Sequence, residues 1–170
     1  MSTEQPQAAP PAVQHGGETS QYLTFILADE EYGVDILRVQ EIKGWDSATP
    51  IPNTPEYIRG VINLRGTIVP IVDLRRRFAL ESVDFGNTTV VVVLKVRNEQ
   101  GERTMGFVVD SVSDVYTVPT EQVRPAPDLG VARAAACVKG LATLDGKMLI
   151  LLDIDRLVDA DMIGESAATH

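Results

Sequence analysis

Beyond Gln21 the apolar residues of this chain fall in short runs of Val, Ile, Leu and Thr, cut at close intervals by Gly, Pro, Asn and Asp. Runs of that length bounded by turn formers mark short strands and tight turns. An amphipathic helix would instead space its apolar residues three and four apart. Strands are expected over 22–27, 31–35, 61–64, 67–72, 88–96, 104–109, 112–118, 138–144 and 147–152. The run 88–96 is apolar on both alternating faces, which predicts a central strand buried on both sides. Lys95 and Arg97 supply charges that limit its aggregation. Only 73–78 and 153–158 read as short helices.

The pattern repeats. A shift of 80 residues lays Gly60-Val61-Ile62-Asn63-Leu64-Arg65-Gly66-Thr67-Ile68-Val69 on Gly140-Leu141-Ala142-Thr143-Leu144-Asp145-Gly146-Lys147-Met148-Leu149 without a gap, and Asp73-Leu74 on Asp153-Ile154. A shift of 73 lays Gly33-Val34-Asp35-Ile36 on Gly106-Phe107-Val108-Val109, and Val39-Gln40-Glu41-Ile42 on Val112-Ser113-Asp114-Val115. Two similar β-units follow, each with a hairpin turning at Arg65-Gly66 or Asp145-Gly146, where glycine supplies a positive φ. Each following Asp caps a helical turn. Antiparallel sheets of this size remove their edges by closing, so two barrels side by side are expected.

Residues 1–20 are rich in Pro, Gln, Ala, Gly and Ser without apolar periodicity, and are expected to be a disordered tail. The domain is expected over 21–158, with subdomains 21–82 and 83–158, and 159–170 form a C-terminal tail. Fifteen Lys and Arg against 24 Asp and Glu give a net charge of −9, which argues against a nucleic-acid partner. No apolar run approaches the ~20 residues that cross a bilayer, so no membrane insertion is expected. A single cysteine, Cys137, and no secretory signal suggest a reducing, cytosolic setting.

Catalytic chemistry is thinly stocked. The two histidines stand at His15 and His170, and neither is placed as a buried general base. Cys137 has no histidine partner and reads as an inert small residue. Asp153 and Asp155 read as helix caps and Arg75-Arg76-Arg77 as a solvated helix face. No phosphate loop, zinc-type cysteine pair or dinucleotide fingerprint is present, so neither enzyme activity nor a cofactor is expected.

Glu31-Tyr32-Gly33-Val34-Asp35-Ile36, Val39-Gln40-Glu41-Ile42, Ile58-Arg59-Gly60-Val61-Ile62-Asn63-Leu64-Arg65-Gly66 and Val69-Pro70-Ile71-Val72-Asp73-Leu74 closely resemble the CheW family. The likeness continues through Gly106-Phe107-Val108-Val109-Asp110, Gly140-Leu141 and Leu149-Ile150-Leu151-Leu152-Asp153, covering roughly 20–158. It implies a mainly β fold of two tandem five-stranded SH3-like barrels with a C-terminal helix. It also implies a cytoplasmic chemotaxis adaptor, recruited to membrane-associated arrays, that binds the cytoplasmic tips of chemoreceptors and the regulatory domain of the histidine kinase CheA. Carried over by position, Glu41, Ile42, Arg65, Val112, Val115 and Gly140 resemble receptor-facing residues, and Val39 and Gly60 resemble kinase contacts. Helical receptor tips would lay apolar side chains along Val39, Ile42, Val112 and Val115, with Glu41 and Arg65 as rim charges. The four aliphatics read equally well as core residues, and the two glycines as requirements of strand geometry. The alternative to an adaptor is an isolated CheA-type regulatory module; a kinase would carry phosphotransfer, dimerisation and ATP-binding regions, none of which this chain contains.

Overall fold

The computed structural model describes residues 18–81, 83–98, 101–125 and 137–157. Along the chain these form β1 (Thr19–Leu27), β2 (Glu30–Asp35), β3 (Val39–Gly44), β4 (Ile58–Leu64), β5 (Thr67–Asp73), α1 (Leu74–Arg77), β6 (Val90–Asn98), β7 (Gly101–Val109), β8 (Ser111–Pro119), β9 (Val138–Leu144), β10 (Lys147–Leu152) and α2 (Ile154–Leu157). Every expected strand is present, and the structure adds one more, β3. Its side chains alternate between half-buried and exposed, but the half-buried set is Val39, Glu41 and Lys43 while Ile42 faces outward. Apolar and polar residues therefore do not alternate along β3, although the burial does. The first strand begins at Thr19, inside the segment expected to be a tail; 1–17 and 158–170 lie outside the described residues.

Two five-stranded sheets are built in the orders β8-β1-β2-β10-β9 and β3-β6-β7-β5-β4. Replacing each strand by its repeat equivalent turns one order into the other. The correspondence reaches individual residues. Leu151 lies opposite Gly33 where parallel β10 and β2 meet, and its counterpart Ile71 lies opposite Gly106 where β5 meets β7. Asp73 N–H donates to Tyr57 O at 2.7 Å and Asp153 N–H to Cys137 O at 2.8 Å, again equivalent positions. Isolated bridges pair Thr49 with Val61 and Arg124 with Leu141.

The repeats are interleaved rather than adjacent. One sheet holds β3 to β7, contiguous in the chain, and the other holds β1 and β2 with β8 to β10. A division at 82/83 therefore cuts through the sheet of β3 to β7, between β5 and β6. The chain changes sheets at the single helical turn Ile36–Arg38 and again at Asp110. Similar sequence marks the repeat, but hydrogen bonding marks the sheet, and each sheet pairs the first two strands of one repeat with the last three of the other.

The main core is shared by both sheets. Leu23, Phe25 and Val34 from one meet Val92, Leu94 and Phe107 from the other. Each sheet covers a smaller cluster of its own, one around Leu149 and Leu151, the other around Val69 and Ile71. β6 serves two clusters, with Val92, Leu94 and Val96 in the shared core and Val91 and Val93 on the opposite face, as its unbroken apolar run requires. Phe25 and Phe107 are fully buried, each contributing about 2–3 kcal/mol of transfer free energy. Asp73 accepts from Arg76 N–H at 3.4 Å, and Asp153 from Arg156 N–H at 3.3 Å, so each carboxylate caps the turn after its hairpin.

Candidate functional site

The β4–β5 turn places Arg65 and Gly66 at φ 52° and 88°, and the β9–β10 turn places Asp145 and Gly146 at 52° and 79°. Positive φ at both central residues suits the right-handed twist of a hairpin. Asn63 Oδ1 accepts from Gly66 N–H at 2.8 Å and fixes the turn. Its geometry throws the Arg65 side chain outward, 75% exposed, where Nη1 donates to Glu41 Oε1 at 2.7 Å. β3 and β4 stand at opposite ends of their sheet's order, so this contact shows the sheet curling until its ends meet, which gives it a barrel-like form. Ile42, the next residue on β3, is exposed. Glu41 and Arg65 thus form an ion pair at this rim, while Ile42, next to Glu41 in sequence, projects from the opposite face of β3.

The remaining sequence-predicted positions divide. Val115 on β8 is exposed, and it is the repeat equivalent of Ile42. Val39 and Val112 pack against the shared core. Gly60 and Gly140 are both buried, and each serves a close approach of backbone. A Cβ on Gly60, which sits at φ +141°, would lie 2.2 Å from Thr49 O. One on Gly140 would lie 2.6 Å from Val123 Cγ1 and 2.9 Å from Arg124 O. Both glycines let the preceding segment bridge β4 or β9.

Two ion pairs missed by sequence reasoning lock the sheets together. Arg75 on α1 donates from Nε and Nη2 to both carboxylate oxygens of Asp110, at 2.9 and 2.7 Å, and Asp110 also accepts from Ala28 N–H at 2.9 Å. Arg38 donates from Nη1 and Nη2 to Asp155 on α2 at 2.9 and 2.7 Å, and Asp155 accepts from Arg97 N–H at 2.7 Å. Arg75 and Asp155 are repeat equivalents, so one helix carries the cation and the other the anion. In each pair the arginine hydrogen bond, opposed by partial burial, holds the carboxyl below its ordinary range. Asp155, expected as a cap, is instead this partner. The Arg75-Arg76-Arg77 run is not a solvated face either: Arg75 holds Asp110, Arg76 pairs with Asp73, and Arg77 is buried against the Tyr57 ring at 5.5 Å. Short arginine runs look alike in sequence, but each of these guanidiniums meets a different neighbour.

No helix among the described residues is long and apolar enough to cross a membrane. Comparison with known proteins adds the family. Residues 21–162 match the CheW-like domain. The chain is 50% identical over 159 residues to the chemotaxis protein CheW of Klebsiella aerogenes, covering 91% of this chain and 93% of that protein. It is 34% identical over 139 residues to the chemotaxis protein CheW of Rhizobium meliloti, covering 82% and 87%. Among solved structures, the scaffolding protein TtCheW of Thermoanaerobacter tengcongensis superposes with a TM-score of 0.75 at 32% identity, over 84% of this chain and 94% of that one. The interleaved sheets, the duplicated hairpins and these matches together place the chain in the CheW family of chemotaxis proteins.

Proposed function

We propose that this chain is a non-enzymatic cytoplasmic adaptor that couples methyl-accepting chemoreceptors to the histidine kinase CheA. The match to chemotaxis protein CheW along 93% of the Klebsiella aerogenes chain carries this reading. It supports a CheW-type adaptor over an isolated kinase regulatory module. The receptor tip would meet Glu41, Ile42 and Arg65, with Val112, Val115 and Gly140 contributing from the other sheet. The kinase regulatory domain would meet the surface near Val39 and Gly60, where the buried glycine acts by holding Thr49 in place. Recruitment to membrane-associated arrays then follows from receptor binding, with no lipid contact needed.

Purified chain should neither hydrolyse ATP nor take up phosphate from it alone, yet should raise CheA autophosphorylation when receptor is present. Phosphate incorporation by the chain alone, or no change in kinase activity with receptor, would refute this function. Arg65→Ala should bind a receptor cytoplasmic fragment at least about tenfold more weakly, the equivalent of about 1.4 kcal/mol. Its midpoint of thermal unfolding should barely move, because an ion pair this exposed contributes ~0–1 kcal/mol to stability. Calorimetric titration and a thermal melt of the same sample separate the two effects. Unchanged binding removes Arg65 from the site.

A further inference from the structure

Asp73 ends β5 almost fully buried, 3% exposed, and two guanidiniums converge on it: Arg59 Nη1 at 3.9 Å and Arg76 Nε at 3.6 Å. Each arginine side chain keeps about a third of its surface open, 32% in both. The guanidinium of Arg59 lies 4.6 Å from the centre of the Phe85 ring and 5.9 Å from that of Trp45, and the two rings meet edge to face at 4.9 Å. Open hollows lie on either side of the arginines. One, of about 380 Å³, is walled by Trp45, Ala48, Pro50 and Ile58; the other, of about 530 Å³, by Val83, Asp84 and Phe85. Arg59 and Arg76 line both.

The second repeat separates what folding needs from what it does not. At the equivalent positions Arg156 Nε stands 3.7 Å from Asp153, so the carboxylate cap and its arginine recur. The counterpart of Arg59 is Lys139, which turns away to the Tyr22 hydroxyl at 3.0 Å. The hollow there, about 250 Å³, is lined by Asp35, Asp153 and Asp155 as well as Arg38 and Lys139, with no aromatic side chain in its wall. Among the described residues, only the first repeat stacks an arginine on an aromatic pair and directs two guanidiniums at one buried carboxylate. The cap closes the fold in both copies; the second cation and the aromatic wall are additions to one of them.

We infer that Arg59 and Arg76 form a docking site for an acidic extended segment of a partner protein, distinct in its residues from the Glu41–Arg65 rim. A carboxylate side chain would bridge the two guanidiniums through their open edges, since a planar guanidinium offers paired donors that fit carboxylate geometry. An apolar side chain one position away would rest on Trp45, Pro50 and Ile58. The buried Asp73 and the aromatic stack hold Arg59 and Arg76 in place before the ligand arrives, which reduces the ordering cost of binding. Glu56 and Asp84 stand on the outer walls and disfavour a second carboxylate, so a single acid flanked by apolar residues is the matching pattern.

Trp45 is the sole tryptophan of the chain, so its fluorescence reports on this site. The full chain should be titrated with a short capped peptide carrying Leu-Glu-Leu in a Ser/Gly background, and with the same peptide carrying Gln for Glu. A saturable change with the Glu peptide is expected, with at least tenfold weaker binding of the Gln peptide. Arg59→Gln and Arg76→Gln, checked for folding by thermal melt, should each weaken the Glu peptide at least tenfold, and Arg59→Lys should weaken it less than Arg59→Gln. Equal binding of the two peptides, no saturable change with either, or a folded glutamine variant that binds unchanged would overturn the inference. So would an equal response to inorganic phosphate, which would make the site a general anion site. The Glu and Gln peptide comparison on the unaltered chain decides the matter even if a variant does not fold. None of these outcomes depends on receptor or kinase, so the adaptor reading stands or falls separately.

Discussion

Gly60→Ala is expected to lower the unfolding free energy by about 3 kcal/mol, combining the cost of a side chain at an unfavourable φ with that of overpacking. The new methyl would start 2.2 Å from Thr49 O and 2.6 Å from Thr49 C, and backbone cannot swing aside as a long side chain can. Thr49 and Val61 exchange both backbone hydrogen bonds at 2.9 Å, so relief of the clash breaks a bridge that holds Trp45 and Pro50 over β4. Gly66→Ala is the control. Gly66 also has positive φ, 88°, but a Cβ added there would meet no atom within 4 Å, so about 1 kcal/mol is expected. Urea unfolding of the two variants tests the difference. A Gly60→Ala midpoint indistinguishable from that of the unaltered chain would show that Thr49 yields freely. The wider consequence is that weakened kinase binding in a Gly60 variant would reflect displacement of 45–50 rather than a lost contact at Gly60 itself.

Duplicated residues made much of this fold legible. The match of Gly60 to Val69 with Gly140 to Leu149 located both hairpins, their glycines and the two capping aspartates, because a tight turn and a helix cap are set by residues adjacent in sequence. The two shifts, 73 and 80, differ because the connection from β8 to β9 is longer than that from β3 to β4, so they carried no sign of the interleaving. Which sheet β3 would join was not visible, since its pairing partner β6 lies some fifty residues away and its apolar positions do not alternate. Glu41 and Arg65 were each identifiable as rim charges, but their meeting depends on the curl of a whole sheet. Arg38 and Asp155 are 117 residues apart, and no local pattern links them. The Arg59 stack was hidden for a related reason: Trp45, Arg59, Asp73, Arg76 and Phe85 come from separate stretches that only the barrel brings together.

The two cross-sheet ion pairs invite the second large effect. Asp110→Ala should destabilise the chain by about 2 kcal/mol, because it strands the Arg75 guanidinium and the Ala28 N–H at a partly buried seam. The reversed pair Arg75→Asp with Asp110→Arg should regain roughly half of that loss, since Arg38–Asp155 shows the opposite polarity fitting an equivalent seam. Recovery stops short of complete because an arginine at 110 cannot accept the Ala28 hydrogen bond. Acid should act on the same contacts. Asp110 and Asp155 titrate below their unfolded value of about 3.9, so their contribution is whole above that pH and fades as pH falls through the lower folded value. Asp110→Asn, which no longer titrates there, should therefore be less stable at neutral pH but lose less on acidification. Parallel stability curves for the variant and the unaltered chain between pH 6 and pH 3 would mean that the Arg75 contact does not favour the charged carboxylate. A double reversal no more stable than Asp110→Ala would mean that the two seams are not interchangeable, and that each repeat has fixed the sign of its own pair through the backbone amide it must also satisfy.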